Sequence, residues 1–254
     1  MNRRGFIKLC GIGASFYAAK TIAAPFGRNL KSNSQCHLDL AAAKKVKAEQ
    51  LPMMGTEIEV LELDMFRSAT DAGIRHLTDM ECGFVVLGLA GIDPEVAAAL
   101  SEWNCHFIEF ENLESLSAQS AEKLVENGHQ LVFEKLPSLS IGVAKALANN
   151  DGWLVFNSLD SISPEVATSL ARHTRALEIR LKNSLNPTVA AELVQHKGHR
   201  LTLILDQYPD DMVISALSSN QYKLAPRIGQ ISVNSKWGMK WGIDIYSIGF
   251  DGVY

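Results

Sequence analysis

The chain has 254 residues, 47% of them hydrophobic and 20% charged, which is enough apolar material for one large domain or two small ones. The formal charge is −4 and no Lys/Arg-rich face stands out, which argues against nucleic acid as a partner. No apolar run reaches the ~20 residues that span a bilayer.

Residues 1–23 read as a secretory signal: a charged start, the apolar stretch Leu9–Ala19, then small residues. Arg3-Arg4-Gly5-Phe6-Ile7-Lys8 closely resembles the twin-arginine export signal, with Asn2 in place of Ser/Thr and Ile7 in place of Leu. Arg3, Arg4, Phe6 and Lys8 match that pattern residue by residue. The resemblance implies export to the periplasm or the medium, with cleavage after Ala23 through the small residues Thr21 and Ala23. Cleavage removes Arg3, Arg4, Lys8 and Lys20 and no acid, leaving 20 basic against 28 acidic side chains and a charge of −8. Such a charge favours solubility and disfavours anionic partners. Cys10 leaves with the signal, so Cys36, Cys82 and Cys105 remain, an odd count with no C-x-x-C.

Residues 24–56 form a lead-in. The polar segment after Pro25 precedes "LDLAAAKKVKAEQL", whose composition predicts one helix closed by Pro52 and Gly55.

A period of 23 residues governs 57–221. Leu87, Phe110, Phe133, Phe156 and Ile179 follow one another at that step, and Leu63 and Leu203 extend the row with steps of 24. A second row runs Leu116, Leu139, Ile162, Leu185, and a third Leu124, Leu147, Leu170, Leu193. Seven units result, and fixed self-similarity at such a period marks a repeat architecture. In "WLVFNSLDSISPEVATSLARHT", Leu154 and Phe156 alternate with Val155 and Asn157 as a short strand. Ser163 is the expected helix N-cap, Pro164 the first helical residue, and Val166 and Leu170 share one helical face. His173, near the helix C-terminus, is expected to favour its positive form. A strand-turn-helix unit of this size cannot bury its apolar face alone, so it needs a near-copy on either side.

The pattern Leu-x-Phe/Leu-x-x-Leu, then Ser/Asn-Pro-Glu/Thr-x-Ala-x-x-Leu, resembles the leucine-rich-repeat-like units of bacterial proteins over about two-thirds of the chain. It departs from the standard leucine-rich repeat in the Asn or Cys ladder after the strand, where only Asn157 stands near. The resemblance implies an α/β right-handed solenoid of about seven repeats, with a parallel sheet on one side, used for binding proteins. Residues 222–254 break the period. Trp237, Trp241, Tyr246, Phe250 and Tyr254 sit there among glycines, and the segment reads as a C-terminal cap on the last open face or as an aromatic platform for a ligand.

Cys82 and Cys105, 23 apart, fall at the same place in adjacent units, which leaves a disulfide and two packed thiols both open. His106 and His129 repeat at the same step, but no acid or cysteine completes a metal set around them. No motif for a nucleophile, a zinc protease, a phosphate loop or a dinucleotide is present, so the chain reads as a non-enzyme with no catalytic residue, no cofactor and no metal. The outward strand positions are more informative. One row is Glu62, Val86, Glu109, Val132, Val155, Glu178 and Thr202, and the next includes Glu111, Glu134, Asn157 and Arg180. Glu109, Glu111 and Glu134, flanked by Val132 and Val155, read either as a solvated charged face or as the binding surface for a basic or mixed partner, and in both cases as exposed and cheap to change. The function expected is an exported protein that binds a protein partner on its strand face. The alternatives are a cell-envelope or carbohydrate-associated structural protein and an accessory subunit of an exported enzyme.

Overall fold

A computed structural model describes residues 36–46, 49–53, 56–80, 82–198, 200–207, 209–219 and 231–235. Arg3, Arg4, Phe6 and Lys8 of the expected signal and the aromatics after residue 235 lie outside the described residues.

Strand and helix alternate along the chain. β1 (Cys36–Leu38), α1 (Leu40–Ala43), β2 (Glu49–Met53), β3 (Thr56–Leu63), β4 (Phe66–Ala69) and α2 (Asp71–Thr78) come first. The regular units follow: β5 (Phe84–Leu87) and α3 (Pro94–Ser101), β6 (Phe107–Phe110) and α4 (Ala118–Leu124), β7 (Gln130–Phe133) and α5 (Ile141–Leu147). After them come β8 (Leu154–Leu159) and α6 (Pro164–Leu170), β9 (Leu177–Leu181) and α7 (Pro187–Leu193), β10 (Leu201–Leu205) and α8 (Asp211–Ser219), and β11 (Ile231–Ser235).

Nine strands make one sheet in the order β11-β10-β9-β8-β7-β6-β5-β3-β2. From β3 to β11 every pair is parallel, and consecutive helices α1 to α8 pack side by side. The register pairs Leu63 with Leu87, Phe110, Phe133, Phe156, Ile179 and Leu203 in turn, the row on which the 23-residue period was aligned. All of these side chains are wholly buried, in one continuous core with Leu100, Leu124, Leu147, Leu170 and Leu193 of the helices. The helices therefore cover one face of the sheet. Phe110, Phe133 and Phe156 stack along the core with centroids 5.3 Å apart and ring planes 9° from parallel.

Local chemistry repeats with the same step. Asp93, Ser117, Ser140 and Ser163 each cap a helix by accepting a hydrogen bond from the backbone N–H three residues on. This satisfies one of the donors a helix start leaves free. Pro94, Pro164 and Pro187 occupy the first turn, where their missing N–H costs nothing. Two glycines record how closely units approach. A Cβ on Gly88 would run into the Asp64 carbonyl, and one on Gly152 into the His129 carbonyl.

The lead-in differs from its expected form. Residues 40–53 are not one helix: α1 ends at Ala43, Lys44 is its C-cap, and Glu49–Met53 forms β2. Within α1 only Ala43 is buried, and propensity alone does not hold so short a helix. β2 instead pairs antiparallel with β3 and closes the first edge of the sheet. Pro52 lies within β2, and an edge strand tolerates the lost donor. β1 and β4 form a separate two-stranded parallel sheet. At the other end, β11 pairs in register with β10, so the sheet runs one parallel strand past residue 221.

Candidate binding face

The face of the sheet turned away from the helices is built by the outward positions. Glu62, Val86, Glu109, Val132, Val155, Glu178 and Thr202 stand in register, one per strand, as the spacing expects. A row the sequence reading passed over lies two residues earlier. Val60, Phe84, Phe107 and Gln130 pair in register, and Trp153 follows at the next step. Phe84 and Phe107 stack at 5.3 Å, and Val60, Phe84 and Val86 form a second apolar cluster with Phe107 against it. The signal for this row was present: Phe84, Phe107, Gln130 and Trp153 are each 23 apart. So was the continuous run "FVVL" of β5, buried at all four positions, since a strand covered on both faces loses the apolar–polar alternation.

This row changes the environment of the acids. Glu109 is only 9% exposed, Glu178 6% and Val132 7%, whereas Glu111, Glu134 and Val155 are half-buried. The expectation that Glu109, Glu134 and Glu111 stand in solvent and are cheap to change is therefore corrected for Glu109 and weakened for the other two. Adjacent strands ~4.8 Å apart leave a central side chain walled in by its neighbours, and here those neighbours are large and apolar. Burial, with smaller contributions from Glu134, Glu111 and Glu62, pushes the Glu109 carboxyl up to about 8. Burial also pushes Glu178 up to about 7, with Arg200 pulling against the shift and Glu134 adding to it. At neutral pH Glu109 is thus mostly protonated, and the face is less negative than its count of acids suggests. Further along, Asn157 Nδ2 donates to Glu134 Oε1 at 2.6 Å, and Arg180 reaches Asp206 Oδ1 through Nε at 3.0 Å and Nη2 at 2.9 Å.

Beside Glu178 the face holds a small cleft of about 30 Å³, lined among others by Phe107, Gln130, Val132, Trp153, Val155 and Arg200. A larger polar groove of about 490 Å³ runs across the turns that precede β6 to β8, between Trp103, Asn127, His129, Asp151 and Arg175.

Cys82 and Cys105 are both buried thiols in the structure, not a disulfide. Burial, reinforced by Cys82, pushes the Cys105 thiol up to about 12. His129, His173 and His196 serve packing, whereas His106 is exposed on the groove. His129 turns Nδ1 to the Cys105 carbonyl at 2.9 Å and Nε2 to the Ser101 carbonyl at 3.0 Å. His173 and His196 stack with centroids 6.1 Å apart. His173 is fully buried, and this desolvation lowers its pKa, so the neutral form is favoured and the helix-end argument for a positive His173 is overturned.

The polar ladder sought at Asn157 lies elsewhere. Asn127 Nδ2 donates to the Ser101 carbonyl, Asn150 Nδ2 to the His129 carbonyl at 2.8 Å, and His196 Nε2 to the Arg175 carbonyl at 2.9 Å. With His173 these positions are 23 apart, and Asn127, Asn150 and His196 bind each turn to the unit before it. Among the described residues no group of three or more His, Cys, Asp or Glu side chains is placed to hold a metal ion, and no helix is long and apolar enough to cross a membrane. Compared with known proteins, the chain matches no family model, no curated protein and no solved structure.

Proposed function

We propose that the chain is an exported, non-enzymatic binding protein, a right-handed leucine-rich-repeat-like solenoid that receives a protein partner on its outward strand face. The observation that carries this reading is the half-buried Phe107, Trp153 and Val155 on successive strands, backed by the buried Phe84, Val86 and Val132 and standing beside buried and half-buried carboxyls. The helix-side core does not require these residues, since it is complete on the other face. A contiguous apolar strip rimmed by polar groups is the usual composition of a protein interface. Aromatic side chains at the centre of such a strip carry much of the binding energy.

The test is chemical cross-linking in the exported fraction with two single variants. Val155→Lys places a charge on the half-buried part of the face, and Ile141→Lys places one on α5, where the side chain is exposed. The expected result is loss of a specific cross-linked species in Val155→Lys and its retention in Ile141→Lys, with both melting close to the parent. Retention in both variants would remove the strand face as the interface.

Export rests on the twin-arginine resemblance. Changing Arg3 and Arg4 together to lysine is expected to leave full-length protein in the cytoplasm, read by fractionation. Normal export of that double variant would remove the twin-arginine pathway from this reading.

A further inference from the structure

The polar side chains that tie one turn to the unit before it differ in chemical durability. Asn127 and Asn150 make the tie with an amide, and His196 makes it with a ring nitrogen. An asparagine amide can be lost by a route closed to histidine, in which the backbone nitrogen of the next residue attacks the side-chain carbonyl carbon. A side chain on that next residue crowds the attack, so glycine, with no Cβ, is the permissive neighbour. Asn127 precedes Gly128, and no other asparagine in the chain precedes a glycine. Asn150 precedes Asp151 and is fully buried. Asn127, in the turn after α4, is exposed on the wall of the polar groove, where base and water reach it. Gly128 stands at φ 69°, and its N–H is held only by a long 3.3 Å bond to the Val125 carbonyl. The bond from Asn127 to the Ser101 carbonyl engages Nδ2, the atom that departs, and not the carbonyl group under attack.

We infer that Asn127 is a site of spontaneous deamidation, and that the tie it makes to Ser101 is the one that fails as the protein ages. Base takes the proton of the Gly128 N–H, the freed nitrogen bonds to Asn127 Cγ, and the Cγ–Nδ2 bond breaks. Ammonia leaves, carrying a proton from water, and a cyclic succinimide remains. Water opens the succinimide at either of its carbonyls and gives aspartate or isoaspartate. The net change is an amide and a water converted to a carboxylate and an ammonium, with nothing oxidised or reduced. The product has no donor for the Ser101 carbonyl, so α3 and the turn after α4 lose their polar link. It also sets a new negative charge near Asp151, whose Cβ lies 3.0 Å from where a Cβ on Gly128 would stand. The inference is independent of what the strand face binds.

The test holds the folded full chain at mildly alkaline pH and body temperature for several weeks, then cleaves after lysine and arginine and weighs the peptides. The free Leu124–Lys135 peptide, incubated alongside, serves as the clock. Within the time that the free peptide converts, the same segment of the folded chain is expected to gain one mass unit and to accept a methyl group from an isoaspartate-specific methyltransferase. The Ala146–Arg172 segment, which carries Asn150, should keep its mass. A folded chain still unmodified when the free peptide has converted would show that the bonds to Ser101 and Val125 hold Asn127 against attack, and the inference falls. A gain that persists in Asn127→His would place the change at Gln130 and overturn the site. The structural consequence is read from urea midpoints. The aged chain and Asn127→Asp should both unfold at lower urea than the fresh parent, and Asn127→His, with the donor that His196 uses at the same position, should stay near it. Midpoints equal to the fresh parent in the aged chain and in Asn127→Asp would overturn the loss of the tie.

Discussion

Raising the pH from about 6.5 to about 8 is expected to weaken the folded state by about 2 kcal/mol, and Glu109→Gln to abolish most of that loss. The Glu109 carboxyl stands at about 8 in the folded chain against an ordinary 4.5, because it is buried and lies near Glu134, Glu111 and Glu62. Glu178, at about 7, is shifted in the same direction. A carboxyl whose folded pKa is raised holds its proton more tightly in the folded chain. Its stabilisation is complete below the unfolded value and is lost as pH rises through the folded value. His173 works in the opposite sense. Burial lowers its pKa, so protonation in the unfolded chain favours unfolding below its ordinary 6.5. Between 4.5 and 6.5 the two effects oppose each other; above 6.5 only the carboxyl effect remains. Urea midpoints at about pH 6.5 and pH 8.5 for the parent and for Glu109→Gln measure it. The parent midpoint should fall between the two, and the variant midpoint should fall by less than half as much, the remainder coming from Glu178. A parent that is equally stable at both would show that Glu109 is ionised without penalty, and hence more hydrated than its burial indicates.

Phe133→Ala is expected to cost about 3–5 kcal/mol, the range for truncating a fully buried phenylalanine. Phe133 is fully buried and lies between Phe110 and Phe156, so truncation removes both ring contacts and leaves a cavity in the middle of the stack. In a stacked array each unit is held mainly by its neighbours, so a gap at β7 weakens the coupling between the units before it and those after it. The denaturation curve should therefore broaden or split as well as shift. Phe133→Leu, which keeps most of the volume, should cost clearly less. Circular dichroism against urea reads all three proteins. A single sharp transition within about 1 kcal/mol of the parent in Phe133→Ala would show that the column contributes little to cohesion.

Much of this architecture was legible in the residues because a repeat states its packing several times. A lone Ser-Pro-Glu is weak evidence for a helix start, but Asp93-Pro94, Ser163-Pro164 and Asn186-Pro187 at multiples of about 23 reinforce one another. The same redundancy set the sheet register in advance, since the strand positions of one unit can pair only with their copies. The outward strand face is less legible. The period places the row at Glu109, but the burial of Glu109 depends on the row of Phe84, Phe107 and Trp153 next to it. The lead-in was misread for a different reason. Its helix propensity is real, but propensity over a few residues yields to a sheet edge that needs a partner strand.

The sequence by itself determined the period, the strand and helix of each unit, the residues committed to the core and the outward row on each strand. These are local or periodic properties, fixed by side-chain size, polarity and spacing along the chain. Only the tertiary structure decided how buried each outward side chain is, and with it the charge state of Glu109 and Glu178. It alone decided that Asn127, Asn150 and His196 tie the units together. Burial and the pairing of polar atoms depend on side chains from two or three neighbouring units acting together. A one-dimensional pattern can place each of those residues on a face, but it cannot measure the space left between them.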